Sequence, residues 1–115
     1  MENINWSSLG FDYYKTEINA RSTFDGEKWS ELVYTDDEYI QMHISTTCLH
    51  YGLQAFEGMK AFRGVDGKVR LFRPEENAQR MNNSAERVCM PTLDVEFQVK
   101  AMKMLVEVEK DWVPH

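Results

Sequence analysis

Arg80 is the side chain in this sequence best equipped to hold a ligand. A guanidinium is permanently charged and forked, and a phosphate dianion is bound well by such a donor. Periodicity alone gives it a plainer role. Ala78, Met81, Ala85 and Val88 recur as one apolar stripe, and Arg80 and Arg87 fall roughly opposite, where arginines are ordinarily solvated. Tyr51, beside Gly52, and Phe56, at the start of an extended run, read from pattern as packing residues. His43 and His50 are seven residues apart on extended or loop structure, which gives neither a metal-binding face nor an orienting partner for catalysis. Asp36, Asp37 and Glu38 form a short acidic run that no His or Asn completes into an oxygen-ligand set, so no metal site is expected. Cys48 and Cys89 are too few and too far apart for a disulfide scaffold or a zinc site, and both are expected as reduced, small, buried hydrophobes.

The elements that must position these residues can be read in order. Met1 to Lys15 is a lead-in whose scattered aromatics need something else to pack on. Arg21 to Tyr34 reads as a hairpin turning at Asp25-Gly26, and Ile40 to Thr47 as a short alternating strand. Phe56 to Phe72 is a second hairpin around Val65, Asp66 and Gly67, where Asp-Gly accommodates positive φ. On its first arm Phe56, Gly58, Lys60 and Phe62 share one face, and Glu57, Met59, Ala61 and Arg63 share the other.

Pro74 opens a helix where its missing N–H costs nothing, with Glu75 and Glu76 suiting the positive end of the dipole. Pro91 is expected to end it by disfavouring a helical Met90. A second helix is expected from about Asp94, an N-cap, to about Trp112. Its polar residues Glu96, Lys100, Lys103, Glu107 and Lys110 crowd into one narrow arc, so the rest of its surface needs cover on more than one side. The fold class expected is α+β: an antiparallel sheet of hairpins with two helices packed on one face, in residues 1–115 as a single domain or a piece of one.

Bulk properties exclude several functions. A net charge of −6 without any basic stripe argues against a nucleic-acid partner. No apolar run is long enough to span a membrane, and Met1 to Gly10 has neither a basic start nor an apolar core, so the cytoplasm is the default location.

HYGLQAFEGMKAFRG, followed by RLFRP and NAQRMNNSAERVCMP, resembles the N-terminal half of the branched-chain amino-acid aminotransferases, pyridoxal-phosphate enzymes of fold type IV. The resemblance runs from about Ser45 to Pro114 and more weakly back to Phe11. It implies a transaminase moving amino groups between Leu, Ile or Val and 2-oxoglutarate, with pyridoxal phosphate as cofactor and a homodimer as the assembly. It also implies that Arg80 binds the cofactor's phosphate, and that Tyr51 and Phe56 line the pocket for the substrate side chain, Tyr51 reaching toward the partner subunit. Gly52 and Gly58 would permit close backbone approach. Lys60 does not match the family's Schiff-base lysine, which the resemblance places beyond residue 115 in the C-terminal domain. These residues alone are therefore expected to be inactive.

Two alternatives stand beside this. One is another fold-type IV enzyme, a D-amino-acid aminotransferase or an aminodeoxychorismate lyase, which the HYGLQAFEG wording disfavours. The other is a non-catalytic module that folds or dimerises.

Overall fold

The computed structural model describes residues 5–8 and 10–114. After a 3-10 turn at Trp6–Ser8, the lead-in runs irregularly to Ile18, and the rings of Phe11, Tyr13 and Tyr14 stand in water. The expectation for residues 1–4 and Leu9, part of the lead-in, lies outside the described residues.

The first hairpin forms as expected, with a short ladder. Strand β1, Asn19–Arg21, pairs antiparallel with β2, Val33–Thr35, so that Ala20 lies opposite Tyr34. At its tip the Asp25 carboxylate accepts from the N–H groups of Glu27 and Lys28, each at 2.9 Å. Those two bonds hold the Asp25 carboxyl below its ordinary value. Between tip and ladder, Phe24 bridges to Trp29 with ring centroids 5.4 Å apart. The indole N–H of Trp29 donates to the carbonyl of Thr92 at 2.7 Å, tying the hairpin to the connection between the two long helices.

Ile40 to Thr47 is not a strand. Alternation promised one, but a strand must pair its backbone, and among the described residues no other strand lies beside it. Instead the Thr46 N–H donates to the carbonyl of His43 at 2.9 Å, and the chain turns into a single helical turn, α1, Thr47–His50. Ile40, Met42 and Ile44 are left exposed.

The second hairpin pairs β3, Ala61–Arg63, with β4, Val69–Leu71, in the register Phe62 opposite Arg70. Gly64 and Lys68 close the turn (N–H to carbonyl, 2.9 Å), and Gly67 takes a φ of 75°. A bidentate pair between Arg70 and Asp66, 2.8 and 2.7 Å, holds the Asp66 carboxyl well below its usual range. At Gly64 a Cβ would stand 2.8 Å from both partners of that pair, so a larger residue there would have to displace the two side chains. Residues 56–60 run up to β3 without a ladder partner.

Two helices complete the α+β fold: α2, Pro74–Arg87, and α3, Val95–Val108. The Asp94 side chain caps α3, accepting from the Phe97 N–H at 2.9 Å. The end of α2 differs from expectation. It stops three residues before Met90: Cys89 adopts φ 57°, its N–H donating to the Glu86 carbonyl, while Met90 N–H reaches back to the Ala85 carbonyl at 2.9 Å. This paired closure is a Schellman motif, so the helix has already ended when Pro91 is reached.

The core is small. Ala78, Ala85 and Val99 are its buried apolar residues, where α2 crosses α3. Glu109, capping α3, accepts from the Ile18 N–H at 2.7 Å and brings the approach to β1 onto the helix. The chain's polar arc on α3 is solvated as expected, whereas Met104 and Val108 remain partly exposed, so the cover of α3 stops short of its whole apolar surface. The accessible surface is 9418 Å². A compact chain of this mass exposes about 6,500 Å².

Candidate functional site

A polar cluster joins the extended segment 56–60 to α2. Alternation along that segment persists as sequence predicts: Glu57, Met59, Ala61 and Arg63 are half-buried, and Phe56, Gly58, Lys60 and Phe62 are exposed. The Glu57 side chain retains 15% of its exposure. It is met there by two side chains of α2 that share one helix face, Asn77 and Arg80, three residues apart.

Arg80 donates from Nε to Glu57 Oε2 at 3.0 Å and from Nη2 to Oε1. Asn77 Nδ2 donates to the same Oε1 at 3.0 Å and to the carbonyl of Gly58 at 3.1 Å. The hydrogen bonds from Arg80, then that from Asn77, hold the Glu57 carboxyl below its ordinary value; the carboxylate in turn raises that of Arg80. The Arg80 side chain is 63% exposed. Its outer edge, Nη1 with the second hydrogen of Nη2, has no protein partner among the described residues. The site is thus an anchored carboxylate with an arginine fork held over it, open on the far side.

Phe56 is 89% exposed, its ring lying alongside Gly58. Because consecutive side chains of an extended segment leave by opposite faces, Phe56 projects away from the Glu57–Arg80 pair. Tyr51, 87% exposed, follows α1, its N–H donating to the Thr47 carbonyl at 2.8 Å. All three residues singled out from sequence are therefore open to solvent rather than enclosed together. The close approach expected at the two glycines is found at neither. A Cβ at Gly52 would meet nothing within 4 Å, glycine there suiting a φ of 63°, and a Cβ at Gly58 would meet only Phe56 Cζ at an ordinary 3.7 Å.

Other candidates behave as surface residues. Lys60 is exposed on the Phe56 face. His43 bonds Ser45 Oγ at 2.7 Å and His50 bonds the Ile44 carbonyl at 2.5 Å, both local turn contacts. Among the described residues no cluster of three His, Cys, Asp or Glu could hold a metal. Both cysteines are free, but neither is buried as expected: Cys48 is half-buried and Cys89 exposed, the latter because it serves as the left-handed residue of the helix stop. Grooves elsewhere include one along α3 by Val95, Val99 and Met104 and another between the second hairpin and α3 by Val69, Leu71 and Val106.

Glu57 and Asn77 are the functional candidates that sequence reading missed. The available signal was the face shared by Glu57 and Met59, which had to turn toward the helices.

No family model matches the chain. Among curated proteins, it is 42% identical over 113 residues, 98% of its length, to the branched-chain-amino-acid aminotransferase of Haemophilus influenzae, covering 33% of that relative. It is 43% identical over 94% of its length to branched-chain-amino-acid transaminase 1 of Bacillus subtilis, covering 31%. It is 45% identical over 75% of its length to the mitochondrial branched-chain-amino-acid aminotransferase of Bos taurus, covering 22%. Nearly all of this α+β chain of two hairpins and two helices is thus similar to aminotransferases. More narrowly, the chain belongs to the branched-chain-amino-acid aminotransferase family, and it spans about a third of the length of the first two of these relatives.

Proposed function

We propose that these 115 residues form the N-terminal part of a pyridoxal-phosphate-dependent aminotransferase that passes amino groups between Leu, Ile or Val and 2-oxoglutarate. The observation that carries this reading is the 42% identity to a branched-chain aminotransferase over 98% of the chain. The names of the relatives above favour the branched-chain activity over a D-amino-acid aminotransferase or aminodeoxychorismate lyase.

The donor chemistry of the site fits the cofactor's phosphate. Arg80 keeps an unengaged edge turned to solvent while its inner edge is held by Glu57, and such a fork binds a phosphate oxygen pair well. Arg80 is accordingly the residue that would hold the phosphate. Pyridoxal phosphate, when bound, supplies the electron sink for amino-group transfer. Covalent attachment of the cofactor is assigned to a lysine in the part of the longer relatives that this chain does not span.

Tyr51 and Phe56 would wall the apolar pocket for the branched side chain. Large rings with few polar neighbours select aliphatic groups by excluding water, and both rings are now in solvent, needing a further surface to close over them. That surface is assigned to the rest of the enzyme and to a partner subunit in a homodimer. The accessible area, far above that of a compact chain, supports such cover. Among the described residues no helix is long and apolar enough to cross a membrane, and a cytoplasmic location is part of the proposal.

The test is an absorbance titration of the chain with pyridoxal phosphate, then borohydride reduction, mass mapping and an assay with leucine and 2-oxoglutarate. Phosphate-dependent binding without a unique reduced lysine or turnover is expected. Turnover with a single modified lysine, Lys60 above all, would overturn the assignment of the catalytic lysine elsewhere.

A further inference from the structure

We propose that Glu57 is the positioning residue of the phosphate-binding arginine: it fixes the plane and direction of the Arg80 guanidinium, and Asn77 in turn fixes Glu57. The inference rests on the reading of Arg80 as the phosphate ligand.

The order of anchoring supports it. Glu57 is the shielded member of the pair, 15% exposed, and Arg80 the outer one at 63%. A free arginine loses about 2 kcal/mol of rotamer freedom when a ligand orders it. Here the side-on edge, Nε and Nη2, is already satisfied by both carboxylate oxygens. The carboxylate cannot swing away easily, because Asn77 Nδ2 bridges Oε1 and the Gly58 carbonyl at 3.0 and 3.1 Å. Helix and extended segment are thus cross-linked through one carboxylate, and the arginine's remaining N–H donors point outward together. Electrostatics works against the pair, since a carboxylate behind the guanidinium weakens its pull on a dianion. Orientation and charge therefore predict opposite signs for the loss of Glu57, which makes the inference decidable.

The experiment measures the affinity of the 115-residue chain for pyridoxal phosphate, pyridoxal and inorganic phosphate, with the Arg80 Nε–H followed by NMR. Glu57→Gln, Glu57→Ala, Asn77→Ala and Arg80→Ala are compared after circular dichroism shows them folded. Expected is a loss of about ten-fold in the preference for pyridoxal phosphate over pyridoxal in Glu57→Ala, in line with partners that orient a ligand-binding side chain. Asn77→Ala should lose less, and should add nothing in the Glu57→Ala background. The Arg80 Nε–H should lose its distinct shift in both Glu57 variants. Unchanged or tighter phosphate binding in the Glu57 variants, while Arg80→Ala abolishes the preference, overturns positioning and leaves the Arg80 reading standing. Preference retained in Arg80→Ala, or no phosphate-dependent binding by the unmodified chain, overturns both.

Discussion

The side-chain amide of Gln98 on α3 donates to the amide oxygen of Asn82 on α2 at 3.1 Å, inside the seam where the two helices meet. Both side chains also serve the backbone of Leu93. Its N–H donates to Asn82 Oδ1 at 3.0 Å, and its carbonyl accepts from Asn82 Nδ2 and Gln98 Nε2, each at 2.8 Å. Two side chains thus satisfy both backbone polar groups of Leu93 in the α2–α3 connection. In a chain with so few buried side chains, this knot adds a polar tie to the apolar packing of the helix pair.

Replacing Asn82 by Ala leaves the Leu93 N–H and the Gln98 amide short of partners, so a loss of about 1–3 kcal/mol is expected in urea unfolding. Asn82→Ala and Gln98→Ala together should cost less than the sum of the two, because they share the network.

Cys89 bears the left-handed turn that ends α2, a conformation costing a residue with a Cβ about 1–2 kcal/mol. Cys89→Gly should relieve that strain, offset partly by greater freedom of the unfolded chain. A gain of about 0.5–1 kcal/mol is expected, seen as a higher urea midpoint at unchanged slope. Cys89→Val should shift the midpoint the other way.

Arg63 gathers the 3-10 turn, Lys110–Trp112, that follows α3. Its Nη2 donates to the Lys110 carbonyl at 2.5 Å, Nε to Val113 at 3.4 Å and Nη1 to Gly67 at 3.2 Å, joining the hairpin turn to the helix terminus. Arg63→Ala should raise amide exchange at Glu109 to Val113 by about ten-fold, reflecting local opening. Arg63→Lys should restore only part, since an ammonium lacks the planar fork.

Acid should dissolve the link between segment 56–60 and α2. The Glu57 carboxyl is lowered in the folded chain from the ordinary 4.5. A depressed carboxyl contributes its stability in full above the unfolded value and loses it as pH falls through the folded one. The difference in thermal midpoint between the unmodified chain and Glu57→Gln should therefore be largest near neutrality and shrink steadily below about pH 4.5. A difference that stays constant down to about pH 3 would show that the charge of Glu57 is not what Arg80 requires.

Local signals in the sequence were the ones that carried through. Asp66-Gly67 made the turn, Pro74 opened α2, and Asp94 capped α3, because each acts through its own backbone neighbourhood. Ile40 to Thr47 failed for the opposite reason: its alternation was real, but a strand is defined by its partner, and here a local turn at His43 satisfied the backbone first. The stop at Cys89 was hidden behind the stronger-looking Pro91, since left-handed cysteine has no sequence signature. Asn82 and Gln98 escaped notice because a polar residue on a helix reads as solvent-facing unless its partner is known. Arg80 was correctly placed opposite the apolar stripe. Its pairing with Glu57 depended on how the extended segment lies against the helix, a long-range relation that no spacing contains.

Phe56 and Glu57, adjacent in the chain, face opposite ways, and that adjacency constrains what the gene can tolerate. Losing or gaining one residue between Phe56 and Ala61 would exchange the two faces of the segment, turning the ring toward α2 and the carboxylate toward open solvent. Length variation should therefore accumulate at the Val65–Gly67 tip, where an extra residue merely lengthens a loop, and be purged from the positions just before β3, however freely the side chains there are substituted.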